Sequence, residues 1–422
     1  HKRWGQKAWS DLFLEAIDLA ESGFSVSPRL AALVAADADR LRQFSDTAAY
    51  FFRDGEPLVE GSRLINLEYA DVMRRMADEG ARVIYSGEIA KAIVNTVRSA
   101  ENNPGVISLT DLDIYEVKER PAICVPFRGH QVCGMGPPSS GALTVGQILG
   151  LLDRFPAGSR DNPQTMRLIG DASRLAFADR GRYMADSDFV PMPTKGLVSA
   201  DYLSDRAKLL IGSEALTDVL PGSPEYSHAS LWADDMSLEL PSTSHISIVD
   251  SYGNALSMTT TIENGFGSRL MTNGFLLNNE LTDFSFSSHI DGVPIANRVE
   301  PGKRPRSSMS PTIVLKDGLP TLVIGSPGGS RIIGYVAEAI VAHIDWGMNV
   351  QAAVSTPHAI NRFGTFDLEK GTSLENMVEP MEALGYKVKL RALNSGLHAI
   401  SITKDGLAGG ADPRREGIAL GQ

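Results

Sequence analysis

A threonine hydroxyl is a weak nucleophile unless a base sits beside it. One available base is the α-amine of the same residue, once the preceding peptide bond has been cut. An amine with a pKa of about 8 suits that task. Such a residue must stand where a loop feeds a strand, and Thr243 does. From about Gly212 to Pro241 the chain is polar and turn-rich, with Pro221, Gly222, Pro224 and the run Ala233-Asp-Asp235, and it reads as an exposed connector. Beyond Thr243, Ser244-His-Ile-Ser-Ile-Val-Asp250 alternates as a strand does, with Ile246 and Ile248 on one face and His245, Ser247 and Val249 on the other. A turn at Asp250-Ser-Tyr-Gly-Asn254 leads into Ala255-Leu-Ser-Met-Thr-Thr-Thr261, completing a hairpin. If Val249 pairs with Ala255, Thr261 falls opposite Thr243, and a second hydroxyl stands beside the first. Taken alone, a threonine at a strand start is ordinary β-propensity.

A second feature offers an anion site. Thr312-Ile-Val-Leu315 and Thr321-Leu-Val-Ile324 flank Lys316-Asp-Gly-Leu-Pro320 and predict a second hairpin. It runs through Gly325-Ser-Pro-Gly-Gly-Ser330 into an apolar segment of helical length, Ile332 to Ile344. A strand, a glycine turn and a helix together aim backbone N–H groups at one point, where an oxyanion can bind. Familiar alternatives are missing. The sequence contains no G-x-S-x-G elbow, no G-x-x-x-x-G-K-[ST] loop and no H-E-x-x-H. Gly265-Phe-Gly267 lacks the third glycine of a dinucleotide site, and the eight histidines are scattered without zinc spacing.

The elements that must carry these residues read as follows. Up to about residue 120 the pattern is helical: Ser10 is placed to cap a stripe of Leu12, Phe13, Ala16, Ile17 and Ala20, and Gly23 to stop it. Ser27-Pro28 opens the next helix, with Leu30, Leu33, Val34 and Leu41 continuing the stripe. Helical signals return at Gly146 to Phe155 and Asp171 to Met184, each after a turn-rich stretch, the sharpest being Gly136-Pro-Pro-Ser-Ser-Gly141. Cys124 and Cys133 flank two short strands around an Arg128-Gly129 turn, which sets them opposite each other. A cross-strand disulfide fits that register, but two buried thiols are the expectation.

The 422 residues, 43% hydrophobic and 22% charged, describe an ordinary globular chain of two or three units. A net charge of −11 repels phosphate backbones, so nucleic acid is not an expected partner. No apolar run reaches the ~20 residues of a membrane crossing. The chain opens His1-Lys-Arg-Trp4, with neither an initiator methionine nor a signal-peptide pattern, so a removed leader or a fragment is expected.

Four blocks resemble the successive signatures of the γ-glutamyltransferase family, in order and at familiar spacing. They are Thr243 to Asp250, Leu276-Leu-Asn-Asn-Glu-Leu-Thr-Asp-Phe284, Pro301-Gly-Lys-Arg-Pro-Arg-Ser-Ser-Met-Ser-Pro-Thr312 and Gly325 to Arg331. The likeness extends to His1 to Ala31, Met135 to Gly141 and Ala172 to Phe189, and so to essentially the whole chain. The resemblance implies an α+β protein, a four-layer αββα sandwich of the N-terminal-nucleophile hydrolase type, which cuts itself before Thr243. Residues 1–242 would form the large-subunit portion and 243–422 the small subunit, the two products remaining together as a heterodimer. Thr243 would attack the γ-amide carbonyl, giving a γ-glutamyl ester resolved by water or by the amine of an amino acid or peptide. Thr261 matches the threonine that hydrogen-bonds the nucleophile, and Gly328 and Gly329 match the oxyanion-hole glycines. Glu280 and Asp283 match the positions that bind the α-amine, and Ser307 and Ser308 those that bind the α-carboxylate. No metal or organic cofactor is implied, and a periplasmic or secreted location is favoured.

Two departures stand out. Glu263 occupies a place where many members carry Asn beside the amine site, which makes the pocket more acidic. The family's carboxylate-binding arginine lies in an N-terminal region of roughly a hundred residues that precedes His1, so no residue is assigned to it. Arg304, Arg306 and Arg331 are expected in surface pairs or helix-end contacts instead. The interval from Asp283 to Ser307 is short for a full lid, which favours hydrolysis over transfer. Glu263 also keeps open an acylase acting on glutaryl or cephalosporin-type amides with the same machinery, and an inert, self-cleaved binding homologue is the remaining alternative.

Overall fold

The computed structural model describes residues 1–228, 231–235 and 242–421. The chain divides into two compact units, one of residues 1–119 and 264–279, the other of residues 120–263 and 280–422. The bond between Ser242 and Thr243 therefore lies inside the second unit.

The first unit is mainly helical, as its apolar periodicity requires. Ser27 caps the Pro28–Ala36 helix by accepting from the Leu30 N–H, and Asn66 caps Leu67–Glu79 through Tyr69. The first helix starts later than expected: Ser10–Phe13 is a 3-10 turn, the α-helix spans Leu14–Ser22, and Gly23 ends it at φ 78°. Ser10 caps nothing there, because the chain is already helical at Trp9. Val26, Val34, Leu41, Phe51, Leu64 and Phe266 share a core, the last contributed by the 264–279 excursion. Asn66 also donates to the Gly274 carbonyl, which ties that excursion down at 2.7 Å.

The second unit is α+β and holds every residue of chemical interest. Six antiparallel strands form its main sheet in the order Gly406–Ala411, His398–Thr403, Leu319–Gly325, Thr312–Lys316, His130–Gly134, Ile123–Phe127. Val132, Val314, Leu322 and Ile324 point to one face, where they pack with the helices Gly141–Leu152, Pro163–Tyr183 and Ile332–Ile344 around one core. The hairpin of Ser244–Val249 and Ala255–Thr260 covers the other face. An ideal Cβ on Gly325, the residue after Ile324, would lie 2.2 Å from the His245 ring, so only glycine admits this approach. Helices, six-stranded sheet and hairpin thus stack as α, β and β layers.

The hairpin register is the expected one, from Ser244 opposite Thr260 to Val249 opposite Ala255. Its polarity is inverted relative to a usual half-buried strand. Ile246, Ile248, Leu256 and Met258 are exposed, whereas His245 is buried and Ser247 and Ser257 are half-buried. Ser257 donates to the Ile324 carbonyl and accepts from the Thr312 N–H, and Ser247 donates to the His398 carbonyl. Small hydroxyls let the two sheets approach closely and satisfy backbone groups that apolar side chains would leave unpaired.

The cysteines correct an expectation. Arg128 and Gly129, at φ 48° and 75°, form the two-residue turn, and Cys124 and Cys133 pair directly with Cα atoms 4.0 Å apart. That approach brings the sulfurs into bonding reach, and they form a disulfide rather than two thiols. No helix among the described residues is long and apolar enough to cross a membrane.

Candidate active site

Thr243 stands one residue before its strand, half-buried, as the boundary reading requires. Its neighbourhood is set by three hydrogen bonds. The Thr261 hydroxyl donates to the carbonyl oxygen of Ser242 at 2.5 Å and accepts from the Glu263 N–H at 2.8 Å. The carbonyl of Thr243 itself accepts from Arg415 Nη1 at 3.1 Å. Since the Glu263 N–H fills an acceptor site on Thr261 Oγ1, the hydroxyl proton of Thr261 is directed to the amide that joins Ser242 to Thr243.

The glycine turn follows the Leu319–Gly325 strand. Gly328 adopts φ 142° and Gly329 φ 60°, and an ideal Cβ on Gly328 would lie 2.7 Å from Tyr335 Cε2. Gly328 demands glycine for space as well as conformation, and the φ of Gly329 favours it. One 3-10 turn later the chain enters the Ile332–Ile344 helix, so the turn lies at the electropositive end of a helix.

Ser307 and Ser308 are held by the Pro138 to Ser140 segment. Ser307 forms a parallel bridge with Ser139, its N–H donates to Pro138, and its carbonyl accepts from both the N–H and the hydroxyl of Ser140. Arg180, 2% exposed, donates from Nη2 to Ser308 Oγ at 2.6 Å and from Nε to Ser140 Oγ at 2.8 Å. Because Ser308 Oγ accepts from a guanidinium, its own proton points away from Arg180. Asp283 ends the 3-10 turn Glu280–Asp283, whose backbone is fixed by Asn297 Nδ2 donating to the Asp283 carbonyl at 2.8 Å.

Seven of the residues singled out in the sequence line one cavity: Thr243, Thr261, Glu263, Asp283, Ser307, Ser308 and Gly329, with Met309 and Ile332 completing it. Glu280 and Gly328 are not among the lining residues; each is adjacent to it through its own turn. Glu263 is 4% exposed and sits at φ 72°, a left-handed conformation that is costly for a side chain of its kind. Under the hairpin, His245 is pushed down to about 3 by burial and by the nearby His398, so it is neutral and serves as a hydrogen-bond partner of Thr259 and Ser247.

Of the arginines set aside, Arg331 stands at the start of the Ile332–Ile344 helix and pairs at 2.9 Å with Asp367, which is buried, so the pair is not at the surface. Arg306 does not belong at the surface. It is 1% exposed and bonded to the equally buried Asp235 at 2.9 Å. Two residues escaped the sequence reading altogether. Arg180 lies in Asp179-Arg-Gly-Arg182, which reads as the basic end of a helix, and Arg415 lies in a polar C-terminal stretch. Neither carries a local signal, because both act on partners far along the chain.

A family model described as Gamma-glutamyltranspeptidase matches residues 1–422. The chain is 34% identical to the glutathione hydrolase proenzyme of Bacillus subtilis strain 168, over 99% of this chain and 72% of that protein. It is 35% identical to the glutathione hydrolase proenzyme of Escherichia coli K12, over 98% of this chain and 71% of that protein. An acylase, the ACY 1 proenzyme of Pseudomonas sp. strain V22, is 31% identical over 99% and 72%. Among solved structures, cephalosporin acylase from Bacillus halodurans superposes with a TM-score of 0.85, at 24% identity, over 98% of this chain and 74% of that one. That likeness bears out the N-terminal-nucleophile fold. The chain belongs to the γ-glutamyltranspeptidase family, a family of amide-cleaving enzymes.

Proposed function

We propose that this protein cleaves itself between Ser242 and Thr243 and then hydrolyses or transfers the γ-glutamyl group of glutathione-like amides. In the first reaction the Thr243 hydroxyl oxygen attacks the Ser242 carbonyl carbon. The C–N bond breaks, an ester forms, and the nitrogen, which keeps its own proton, takes the proton of the hydroxyl to become the new α-amine. Water then hydrolyses the ester, leaving a carboxylate on Ser242. Thr261, bonded to that same carbonyl, is suited to stabilise the negative charge that develops on its oxygen.

In turnover the free amine of Thr243 takes the proton of its own hydroxyl, and Oγ attacks the γ-carbonyl of the substrate. The N–H groups of Gly328 and Gly329 are the donors for the oxyanion. The departing amine takes the proton, and water or an acceptor amine resolves the γ-glutamyl ester. Glu280, Asp283 and Glu263 suit the substrate ammonium, and Ser307 and Ser308 suit its α-carboxylate. The observation that carries this reading is the single cavity in which a strand-start threonine, a second threonine, two carboxylates, two serines and a turn glycine meet. Relatives named glutathione hydrolase support it.

A second reading keeps the machinery and changes the substrate to a glutaryl or cephalosporin-type amide. Glu263 and the relatives named acylase favour it. The two part on dependence upon the α-amine. Turnover of a γ-glutamyl anilide with none of the glutaryl anilide supports the first, and the reverse preference overturns it. Self-cleavage is tested on a denaturing gel, where fragments of about 26 and 19 kDa are expected from the 45.4 kDa chain. Thr243→Ala should stay whole, and cleavage of that variant at the same bond would remove Thr243 as the agent.

A further inference from the structure

We infer that Arg415 is a positioning residue for Thr243, its guanidinium fixing the Thr243 carbonyl and so the direction in which that residue's hydroxyl and amino nitrogen face the cavity. The inference rests on the proposed role of Thr243 as nucleophile.

Arg415 donates to three carbonyls in two separated stretches of chain. Nη1 reaches Thr243 at 3.1 Å, Nε reaches Ser395 at 3.1 Å and Nη2 reaches Asn394 at 3.0 Å. The guanidinium therefore splices the start of the Ser244–Val249 strand to the loop that precedes His398–Thr403. A planar fork of donors holds both partners in a fixed relation, which a flexible single donor does not.

The fork is itself anchored. Asp412, 1% exposed, accepts from the Ser395 hydroxyl and the Leu397 N–H through Oδ2, and from Arg414 through Oδ1. It staples the C-terminal turn to the same loop that receives Arg415. Ser395 Oγ also contacts His358 Nε2 at 2.8 Å, and His358 Nδ1 contacts Glu338, on the helix that follows the glycine turn. Between Arg415 and that turn lies Gly396. An ideal Cβ there would come within 2.7 Å of both Arg415 Cδ and Pro327 Cγ, and Pro327 immediately precedes Gly328. One loop thus seats Arg415 and touches the turn offered as the oxyanion site.

The chemistry explains why the carbonyl matters. Before the cut, Thr243 is held from both sides along the chain. Afterwards its nitrogen is free, and the residue is fixed from its C-terminal side alone. The bond from Arg415 is then a principal restraint on rotation about the Cα–C bond of Thr243, on which the approach of Oγ to a bound carbonyl depends.

The test uses the full chain with Arg415→Met, Arg415→Lys and Gly396→Ala, each compared with the parent for self-cleavage rate and for kcat and KM on a γ-glutamyl anilide. Arg415→Met should lower kcat about tenfold or more with KM changed less than about twofold, and should slow self-cleavage. Arg415→Lys should recover part of the loss. Gly396→Ala, which keeps the arginine but crowds its stem, should lower kcat in the same way. Parent-like kcat in a folded Arg415→Met variant, a loss confined to KM, or a lysine variant no better than methionine would each overturn the inference. Should the methionine variant fail to fold, the lysine and Gly396 variants decide by the same criteria. Thr243→Ala separates the two readings. If it is inert while the Arg415 variants behave as the parent, only this inference falls, and if it still cleaves itself or turns over substrate, the proposed function falls first.

Discussion

The Thr261 hydroxyl donates to the Ser242 carbonyl oxygen at 2.5 Å, on the amide bond that precedes Thr243. Seventeen residues of hairpin lie between Thr243 and Thr261 in the sequence, yet the register returns the second threonine to the bond before the first. If that bond is the one cut, the hydroxyl is placed to stabilise the tetrahedral oxyanion. Thr261→Val, nearly isosteric but without the donor, should slow self-cleavage by about 10² to 10³-fold. Thr261→Ser should retain most of the rate. A time course of the uncut chain on denaturing gels checks both, and equal rates for Val and Ser would remove Thr261 from the reaction.

Arg180 supports the proposed carboxylate site from behind. Its bonds to Ser308 and Ser140 direct the Ser308 proton away from the guanidinium, and Ser140 in turn holds the Ser307 carbonyl. Lysine keeps the charge but cannot reach both hydroxyls with a fixed fork. Arg180→Lys should therefore raise KM for a γ-glutamyl anilide about tenfold while leaving kcat within about threefold. Arg180→Met should in addition lower stability by about 3 kcal/mol, because the polar groups around a buried cation are left without it. Steady-state kinetics and a urea titration measure the two effects separately.

What the sequence made legible, and what it did not, follows from the range of each interaction. The hairpin after Thr243 was readable residue by residue, since a period of two and a five-residue turn leave one sensible register. The glycine turn was readable because strand, Gly-Gly and apolar helix are consecutive. The disulfide turned on how closely a two-residue turn draws Cys124 and Cys133 together, which the spacing allowed without requiring. Arg180 and Arg415 were not readable, because their partners Ser308 and Thr243 lie 128 and 172 residues away. Arg306 is buried against the surface expectation for the same reason, since its buried partner Asp235 lies 71 residues away.

Gly328 allows a sharper test of the turn. At φ 142°, with Tyr335 Cε2 only 2.7 Å from an ideal Cβ, an alanine there is both strained and obstructed. The turn must shift, and its N–H groups with it. Gly328→Ala should lower kcat by about 10² with little change in KM, since a displaced oxyanion donor is missed chiefly in the transition state. A variant with unchanged kcat would show that this turn does not face the reacting oxygen.

The histidines beneath the hairpin give the fold a pH dependence of definite sign. His245 is pushed down to about 3 by burial and by His398, and His398 is itself lowered by burial. Both are neutral in the folded protein at neutral pH, whereas in the unfolded chain they titrate near the ordinary value of 6.5. The unfolded state therefore binds more protons below pH 6.5. The His245 contribution is fully present above that value and is lost as the pH falls towards 3, by about 1.4 kcal/mol per pH unit, and the lowered His398 acts in the same direction. His245→Gln, which can still hydrogen-bond Thr259 and Ser247, removes one titrating group and should flatten the acid limb by that amount. Urea midpoints at pH 7, 6 and 5 for the parent and the variant measure the difference. Parallel limbs would mean that His245 takes up a proton in the folded state at no cost, and that the sheet-to-sheet contact over Gly325 is looser than its geometry implies.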